Sequence, residues 1–386
     1  MTLSIALFIA GAALAVLVIG WILYPLASVA AGRRHKPARE STRTDDPVAI
    51  VLATREAPGL VAEQVVSLAA QDYPAERVDL IVAVDATSRY ELSEYLQAVG
   101  DRARVVQGDA PGGKACTLNA GVRAARAEYV VFADTQPRFL ERSVAALVGF
   151  LHANPQFGGV SGALDLNSSS TERDTVLGPL WNFEIAVRRA HANLHSICAV
   201  TGAIYAIRRA LWSPLPDGAI CDDLFVPMHI IMSGQRVGFC ETARALDARR
   251  FTRPQEFQRK VRTLTGMLQF VSMRPAVLLP WRNPVWSQFV FHKLLRIATP
   301  FLAAIFAVGA SGAGYAAGGF AFWPLAFGPL VLLLLPAAAG SGRTRKLLGD
   351  LGWVLLLLCA PVVAVWRALR GRWDVWRPQL QGSEPH

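Results

Sequence analysis

Two aspartates in this chain follow apolar, strand-like runs. VDLIVAVDA (78–86) carries Asp85 near its end, and YVVFAD (129–134) ends on Asp134. In parallel α/β sheets, ligands bind beyond the carboxyl ends of the strands, so both acids stand where a ligand would be held. An aspartate at this position also commonly caps the next helix, and each residue alone is better explained by such a turn.

Lys114 follows two glycines at the predicted start of a helix, GGKACTLNAGVRAA (112–125). Free N–H groups at a helix start attract anions, the glycines permit close approach of a ligand, and the lysine adds a positive charge. Such a turn is weak evidence by itself, because glycines begin many helices. Combined with the two strand-end acids, it predicts a pocket for a nucleotide diphosphate.

The stretch from about 45 to 250 alternates short apolar runs with amphipathic helices. Apolar runs on both sides of a helix predict strands buried on both faces, and therefore a parallel sheet with helical cover. The sequence predicts an α/β fold on this basis. Its predicted strands are 48–53, 78–86, 104–107 and 129–134, and its predicted helices are 59–70 and 112–125.

Residues 5–31 form an uncharged apolar run that is long enough to span a bilayer. A signal peptide is the alternative, but the run lacks a basic segment before it and exceeds the usual apolar length of about 7–15 residues. We therefore expect an uncleaved anchor. The basic GRRHKPAR (32–39) that follows marks the cytoplasmic side.

Three further apolar segments are predicted near the C-terminus, at about 297–317, 320–339 and 351–366. SGRTRK (341–346) should be cytoplasmic, yet the equally basic WRALRGRWDVWR (366–377) falls on the opposite side in a four-span count. The number of spans and the side of the C-terminus therefore stay open. WRNPVWSQFVFHKLLR (281–296) is typical of an aromatic and basic membrane boundary, where His292 contacts a lipid phosphate or is simply capped.

The chain is expected to divide into an N-terminal anchor (1–35), a cytosolic domain with an interfacial helix (36–275) and a C-terminal membrane domain (276–386). Its net charge of +10 largely flanks the apolar segments, where anionic lipid headgroups explain it better than nucleic acid. The five cysteines show no CxxC spacing, which predicts reduced thiols and neither a zinc site nor a disulfide framework.

A series of short motifs resembles the membrane-anchored family 2 glycosyltransferases, from about Pro47 to Gly266. That group includes cellulose, hyaluronan and poly-N-acetylglucosamine synthases and ceramide glucosyltransferase-like enzymes. Each motif is loose, but the order and spacing are specific. The motifs are VAIVLATRE, QDYP (71–74), IVAVDATS (81–88), GGKACTLNAG (112–121), VVFADTQ (130–136), TGAIYAIRR (201–209), CDDL (221–224) and FQRKVRTLTG (257–266).

The resemblance implies a GT-A fold that binds a nucleotide-sugar donor. It places Asp85 at the donor's base or ribose, Lys114 at the donor, and Asp134 at the first acid of a D-x-D pair. The second acid of that pair helps to hold Mg²⁺ or Mn²⁺ on the donor phosphates, and Gln136 replaces it here. A Gln carbonyl is a hard-oxygen ligand without the charge, so we expect a working but weaker metal site.

The resemblance also assigns Asp223 as the general base and Asp222 as its neighbour. Adjacent carboxylates can raise each other's pKa, which suits a base that takes a hydroxyl proton. Capping of the helix LFVPMHIIMSG (224–234) is the alternative for this pair.

RKVRT (259–263) aligns with the family's Q-x-x-R-W motif. Arg262 matches the family arginine and Arg259 replaces the glutamine, and together they would clamp the leaving diphosphate. A basic interfacial helix that binds lipid headgroups is the alternative. Thr263 replaces a tryptophan that stacks on the polymer in processive synthases, which leaves the product length open. TGAIYAIRR resembles the acceptor-lining segment, or is a buried strand.

The expected function is an inverting glycosyltransferase of the inner membrane, multi-pass, with its catalytic domain in the cytoplasm. It would move a sugar to a lipid-linked or polysaccharide acceptor, with membrane lipids and polysaccharide-assembly proteins as further partners. A single-sugar lipid glycosyltransferase is one alternative, and a non-catalytic partner that retains the fold is another. A transporter is disfavoured, because the apolar segments lack paired ionisable groups.

Overall fold

A computed structural model describes residues 2–41, 44–166, 177–249, 251–317, 352–353 and 356–373. Within these ranges the strands form one eight-stranded sheet with the order β3-β2-β1-β4-β7-β6-β8-β5. The strands are β1 Val48–Thr54, β2 Val78–Val84, β3 Arg104–Gln107, β4 Tyr129–Ala133, β5 Arg138–Phe139, β6 Phe157–Leu166, β7 Ile204–Arg208 and β8 Arg236–Asp247.

The four strands predicted from the sequence make the parallel half of this sheet. β1 lies between β2 and β4, and β3 extends the sheet beyond β2, all in parallel. Side chains of β1 alternate between two apolar cores, with Ala49 and Val51 in one and Ile50 and Leu52 in the other. The prediction of strands buried on both faces is therefore confirmed for β1, β2 and β4, whereas the edge strand β3 is only partly buried.

The other half of the sheet is mixed. β7 runs antiparallel between β4 and β6, β8 runs parallel to β6, and the short β5 pairs antiparallel with β8 at the edge. The pairing of Arg138 with Leu246 brings the chain just after Asp134 next to the end of β8. This pairing extends the ligand-binding edge beyond the parallel strands.

Helices cover both faces of the sheet, as the α/β prediction requires. The helices α3, α4 and α6 pack on one face, and α5, α8 and α9 pack on the other. The bounds of the helices in the domain are α3 Pro58–Ala69, α4 Leu92–Val99, α5 Lys114–Ala124, α6 Ser143–Ala153, α7 Leu177–Leu194, α8 Asp222–Met232 and α9 Arg253–Met273.

Two described helices are long and apolar enough to cross a membrane, by length and composition: Leu3–Gly32 and Gln288–Ala316. The first joins α1 (Leu3–Val18) to α2 (Tyr24–Gly32) through a π-helical turn, and the second joins such a turn to α10 (Leu295–Ala316). They pack antiparallel, because a Cβ on Gly20 would meet Leu295, and one on Gly309 would meet Ala10. The second helix begins before the predicted 297, because the later part of the predicted boundary segment, from Gln288, is itself helical.

The last two predicted segments have different outcomes. The segment 320–339 lies outside the described residues. Near the third, the structure has α11, Ala360–Leu369, which is too short to span a bilayer. Ala360 and Ala364 are fully buried, and α11 packs against α9. This helix therefore covers α9.

Candidate active site

A cleft of about 440 Å³ opens at the carboxyl ends of β1, β2 and β4. Every residue that the sequence singled out for the site lines it. These are Asp85, Lys114, Asp134, Gln136, Asp222, Asp223, Arg259 and Arg262. The topology thus brings together side chains that are far apart in sequence; Asp85 and Arg262 are separated by 177 positions.

Lys114 joins two carboxylates at the centre of the cleft. Its Nζ lies 3.1 Å from Asp134 Oδ1 at the end of β4 and 3.4 Å from Asp222 Oδ1 at the start of α8. Burial lowers the pKa of Lys114, but the charges of Asp134 and Asp222 outweigh it and raise the pKa overall. Lys114 therefore stays an ammonium and compensates acids from two separate elements.

Asp222 and Asp223 occupy the first turn of α8, whose N-cap is Cys221. Neither acid is therefore the N-cap. Carboxylates in the first turn of a helix nevertheless interact favourably with the helix dipole. Burial raises the pKa of both acids, and the Asp222 charge raises the pKa of Asp223 further, to about 6. Asp222 Oδ2 is buried without a hydrogen-bond partner among the described residues. Asp223 can therefore take up a proton near neutral pH.

Asp85 is buried in the cleft lining, with 2% of its surface exposed. Its carboxylate accepts hydrogen bonds from Gly113 N at 3.0 Å and from Thr87 N and Oγ1 at 2.8 and 2.9 Å. The anion at the start of α5 is thus the Asp85 carboxylate. Gly112 has φ +95°, and a Cβ there would lie 2.8 Å from Asp85 Oδ1, so the turn requires glycine.

The turn after β4 is held by groups from other elements. Gln64 Nε2 donates to the carbonyls of Asp134 and Pro137 at 2.9 and 2.8 Å, and Thr135 Oγ1 donates to Thr54 Oγ1 at 3.0 Å. This framework fixes where the Asp134 and Gln136 side chains enter the cleft. Both therefore present oxygens to the same volume.

The donor set fits part of a divalent-metal site. Asp134 and Gln136 offer hard oxygens, and the unpartnered Asp222 Oδ2 is a further acceptor near them. Among the described residues, no group of three or more His, Cys, Asp or Glu side chains forms a complete site. A metal here would need ligands from elsewhere, such as phosphate oxygens or water.

Arginines on α9 and on the segment after β8 form part of the cleft wall. Arg259 donates to the Glu256 carboxylate at 3.0 and 3.2 Å, whereas Arg262 has no carboxylate partner within the described residues. Arg249 donates to the buried Asp247 at 2.7 and 2.8 Å. The guanidinium groups of Arg249 and Arg259 lie 5.3 and 4.9 Å from the Phe251 ring. The wall is therefore positive and pre-ordered.

Sequence reasoning missed Asp247, Arg249 and Phe251, which line the cleft beside the predicted residues. They have no motif spacing that signals a site, and the pairing of β5 with β8 is what brings them there. In TGAIYAIRR, Ile204–Arg208 is the buried strand β7, and Thr201 and Gly202 line the cleft, so contact of this segment with an acceptor stays a prediction. Gly202 lies against Asp223, since its Cβ would be 3.4 Å from Asp223 Cβ.

Comparisons with known proteins bear on the family and the fold of the chain. The model of the family described as glycosyltransferase-like family 2 matches residues 46–269 of this chain. The mannosyltransferase PcManGT from Pyrobaculum calidifontis, solved with GDP-Man and Mn²⁺, has a TM-score of 0.69 at 20% identity, over 94% of this chain and 99% of that chain. Glucosyl-3-phosphoglycerate synthase from Mycobacterium tuberculosis, solved with Mn²⁺, UDP and glucosyl-3-phosphoglycerate, has a TM-score of 0.41 at 17% identity, over 62% and 85%. No curated protein matches the chain.

The fold and the cleft define a glycosyltransferase with a GT-A architecture. The chain belongs to glycosyltransferase-like family 2, and the match covers the whole sheet domain from β1 to most of α9. The predicted fold class and enzyme class are both confirmed.

Proposed function

We propose that this enzyme transfers a sugar, with inversion, from a nucleotide-diphosphate sugar to a hydroxyl of a lipid-linked or polysaccharide acceptor at a membrane. The observation that carries the proposal is the convergence of Asp134, Asp222 and Asp223 on one cleft, joined through Lys114. Asp223, whose pKa is raised to about 6, lines the same cleft as the arginines of α9.

The donor would lie across the cleft with its nucleotide toward Asp85 and its diphosphate between Asp134 and the arginine wall. Arg262 and Arg259, with Arg249, would stabilise the charge that develops on the leaving diphosphate, where electrostatic stabilisation contributes most. Mg²⁺ or Mn²⁺, when bound at Asp134 and Gln136, would supply further positive charge to the phosphates. PcManGT was solved with Mn²⁺, which supports this cofactor.

Asp223 would act on the acceptor. Its carboxylate takes the proton of an acceptor hydroxyl as the hydroxyl oxygen forms a bond to the anomeric carbon. The bond from that carbon to the diphosphate oxygen breaks on the opposite face, and the diphosphate leaves with the electron pair. A single displacement of this kind inverts the anomeric centre. Asp222 and Lys114 would position Asp223 and set its pKa.

The proposed location is the inner membrane, multi-pass, with the cleft on the cytoplasmic side. The two helices of membrane-spanning length and the basic GRRHKPAR segment (32–39) support it. Transfer of one sugar to a lipid is the alternative to polymer synthesis. Thr263 favours that alternative, because this cleft-lining position carries no aromatic ring on which a polymer could stack.

The experiment is a panel of nucleotide sugars screened against the full-length protein in detergent, with and without Mn²⁺. Thermal shift identifies the donor, and hydrolysis of that donor without acceptor tests catalysis. We expect one donor class to raise Tm in the presence of Mn²⁺ and to be hydrolysed slowly. If a donor binds but is neither hydrolysed nor transferred, the chain is a binding partner and the proposal is wrong.

A further inference from the structure

A second group of charged side chains lies where the domain meets the two long helices. It consists of Glu184 and Arg188 on α7, and His292, Lys293 and Arg296 at the start of the Gln288–Ala316 helix. Glu184 Oε2 accepts from Arg296 at 2.6 Å and lies 3.2 Å from His292 Nε2. The group therefore joins two elements that are more than a hundred positions apart.

The charges in this group do not balance locally. Glu184 is already engaged by Arg296 and His292. Arg188 donates to the hydroxyls of Thr201 and Ser161, at 3.1 to 3.3 Å, and its guanidinium lies on the Phe239 ring. Lys293 is half-buried and has no hydrogen-bonded or ion-paired acceptor in the part of the chain that the structure describes. Partly buried cations of this kind call for an anion.

The two cations lie next to the cleft. Arg188 and Lys293 both interact electrostatically with Glu184 and, more weakly, with Asp223, and the two cations repel each other. Thr201, which accepts from Arg188, lines the cleft. An anion bound by Arg188 and Lys293 would thus lie beside the proposed base.

Apolar surface leads away from the same place along the two long helices. Trp21 Nε1 donates to Thr299 Oγ1 at 2.9 Å, and the Arg296 guanidinium lies 5.7 Å from the Trp21 ring. Around this contact and beyond it, large apolar side chains are exposed on both helices: Leu14, Ile19, Ile22, Leu23, Phe301, Ile305 and Val308. This surface suits hydrocarbon chains, and the cations lie at its polar end.

We infer that Lys293 and Arg188 form the subsite for the phosphate group of a lipid acceptor whose chains lie along α1 and α10. The inference rests on the proposed function, which it deepens by naming the acceptor class. Phosphate matches the fork of Arg188 and the point charge of Lys293. Arg296, His292 and Glu184 would hold Lys293 in place and would not contact the phosphate.

Calorimetric titration of the full-length protein in detergent tests the inference. The probes are dihexanoyl phosphatidic acid, dihexanoylglycerol as its uncharged counterpart, and inorganic phosphate. We expect the phosphatidic acid to bind best, and Lys293→Gln to weaken it about tenfold through the loss of a charge-assisted contact. Lys293→Arg should recover most of the affinity because it keeps the charge.

Arg189→Ala, next to Arg188 on α7, is the control for the loss of a surface cation. Arg189 is exposed and pairs with Glu241, and we expect its variant to bind phosphatidic acid like the wild type. Equal binding by Lys293→Gln and the wild type overturns the inference. The inference is also overturned if dihexanoylglycerol binds as tightly as phosphatidic acid. If inorganic phosphate binds as tightly as phosphatidic acid, the ligand is a soluble anion and not a lipid. Melting curves show whether Lys293→Gln is folded. If it is not, the affinity of Lys293→Arg for phosphatidic acid tests the inference instead.

Failure of the inference and failure of the proposed function are separable. Donor hydrolysis with Mn²⁺ is measured on the same preparations. Hydrolysis without any charge-dependent lipid binding overturns only the lipid-phosphate subsite. Lipid binding without hydrolysis or transfer overturns the proposed glycosyl transfer and leaves the anion subsite standing.

Discussion

The ammonium of Lys114 lies 3.1 Å from the carboxylate of Asp134, so the start of α5 is joined to the end of β4 inside the cleft. The same ammonium lies 3.4 Å from Asp222 on α8. One cation therefore compensates two acids from different elements. The electrostatic balance of the cleft depends on it.

Replacing this cation should destabilise the protein in a pH-dependent way. In Lys114→Met, the acids lose their compensating charge, and we expect Tm at pH 7.5 to fall by about 5 °C. The loss should shrink at pH 5, because burial raises the pKa of Asp222 and, without Lys114, this acid becomes neutral by protonation. Lys36→Met, at an exposed position, is the control. Identical melting of Lys114→Met and the wild type at pH 7.5 would refute the pairing.

The acid limb of the pH–rate profile should respond to Asp222. Burial and the Asp222 charge raise the pKa of Asp223 to about 6, and a base must be ionised to act. The value of kcat/KM should therefore rise with pH through about 6, with an apparent pKa that belongs to the coupled pair. Asp222→Asn removes a like charge, so the limb should move to lower pH. A limb that stays in place or moves upward would contradict this coupling.

Gln136→Asp should strengthen metal dependence at the turn after β4. The change adds a charged oxygen where a neutral one now lines the cleft, and hard divalent ions prefer the charged ligand. We expect the Mn²⁺ concentration for half-maximal activity to fall about tenfold. Gln136→Ala should raise it. Mn²⁺ dependence that is the same in all three proteins would show that Gln136 does not hold the ion.

Two arginines of α9 should differ in their effect on the leaving group. Arg259 is engaged by Glu256, whereas Arg262 has no carboxylate partner among the described residues and faces the cleft. Arg262→Ala should therefore lower kcat about a hundredfold, in the range of a lost oxyanion-type contact, and Arg259→Ala markedly less. Steady-state kinetics with saturating donor measures both. Equal losses, or a larger loss for Arg259→Ala, would reverse the assignment.

The sequence predicted the elements that carry a strong local pattern. The strands ending at Thr54, Val84 and Ala133 are buried on both faces, and this produces the apolar runs that reveal them. The exposed pairing of β5 with β8 leaves no such pattern, so Asp247 and Arg249 were missed. Their position depends on a pairing between residues about a hundred positions apart, Arg138 and Leu246.

The roles of single side chains were harder to predict than their presence in the cleft. The sequence predicts that Lys114 binds the donor, which stays a prediction, and it did not reveal that the Lys114 ammonium contacts Asp134 and Asp222. Asp85 was likewise expected at the nucleotide, and its carboxylate holds Gly113 and Thr87. Spacing along the chain places a residue at a sheet edge, whereas its partners depend on the loops that cross there.

The variant Asp223→Asn can be checked for folding before its activity is measured. The pKa of Asp223 lies above its ordinary value of 3.8 in the folded protein, so its contribution to stability falls as pH rises from about 4 through about 6. At pH 8 the ionised acid is therefore unfavourable. Asp223→Asn should melt at or above the wild-type temperature at that pH. A melting temperature well below the wild type would contradict the assigned burial.

The most direct measurement is the rate of sugar transfer by Asp223→Asn at pH 8 with saturating donor. If Asp223 takes the acceptor proton, kcat should fall by about a thousandfold, within the range for a lost general base, while donor affinity stays within about twofold. Asp217→Asn, which alters an aspartate outside the cleft lining, should retain the wild-type rate. Transfer by Asp223→Asn at the wild-type rate would contradict the account of this site.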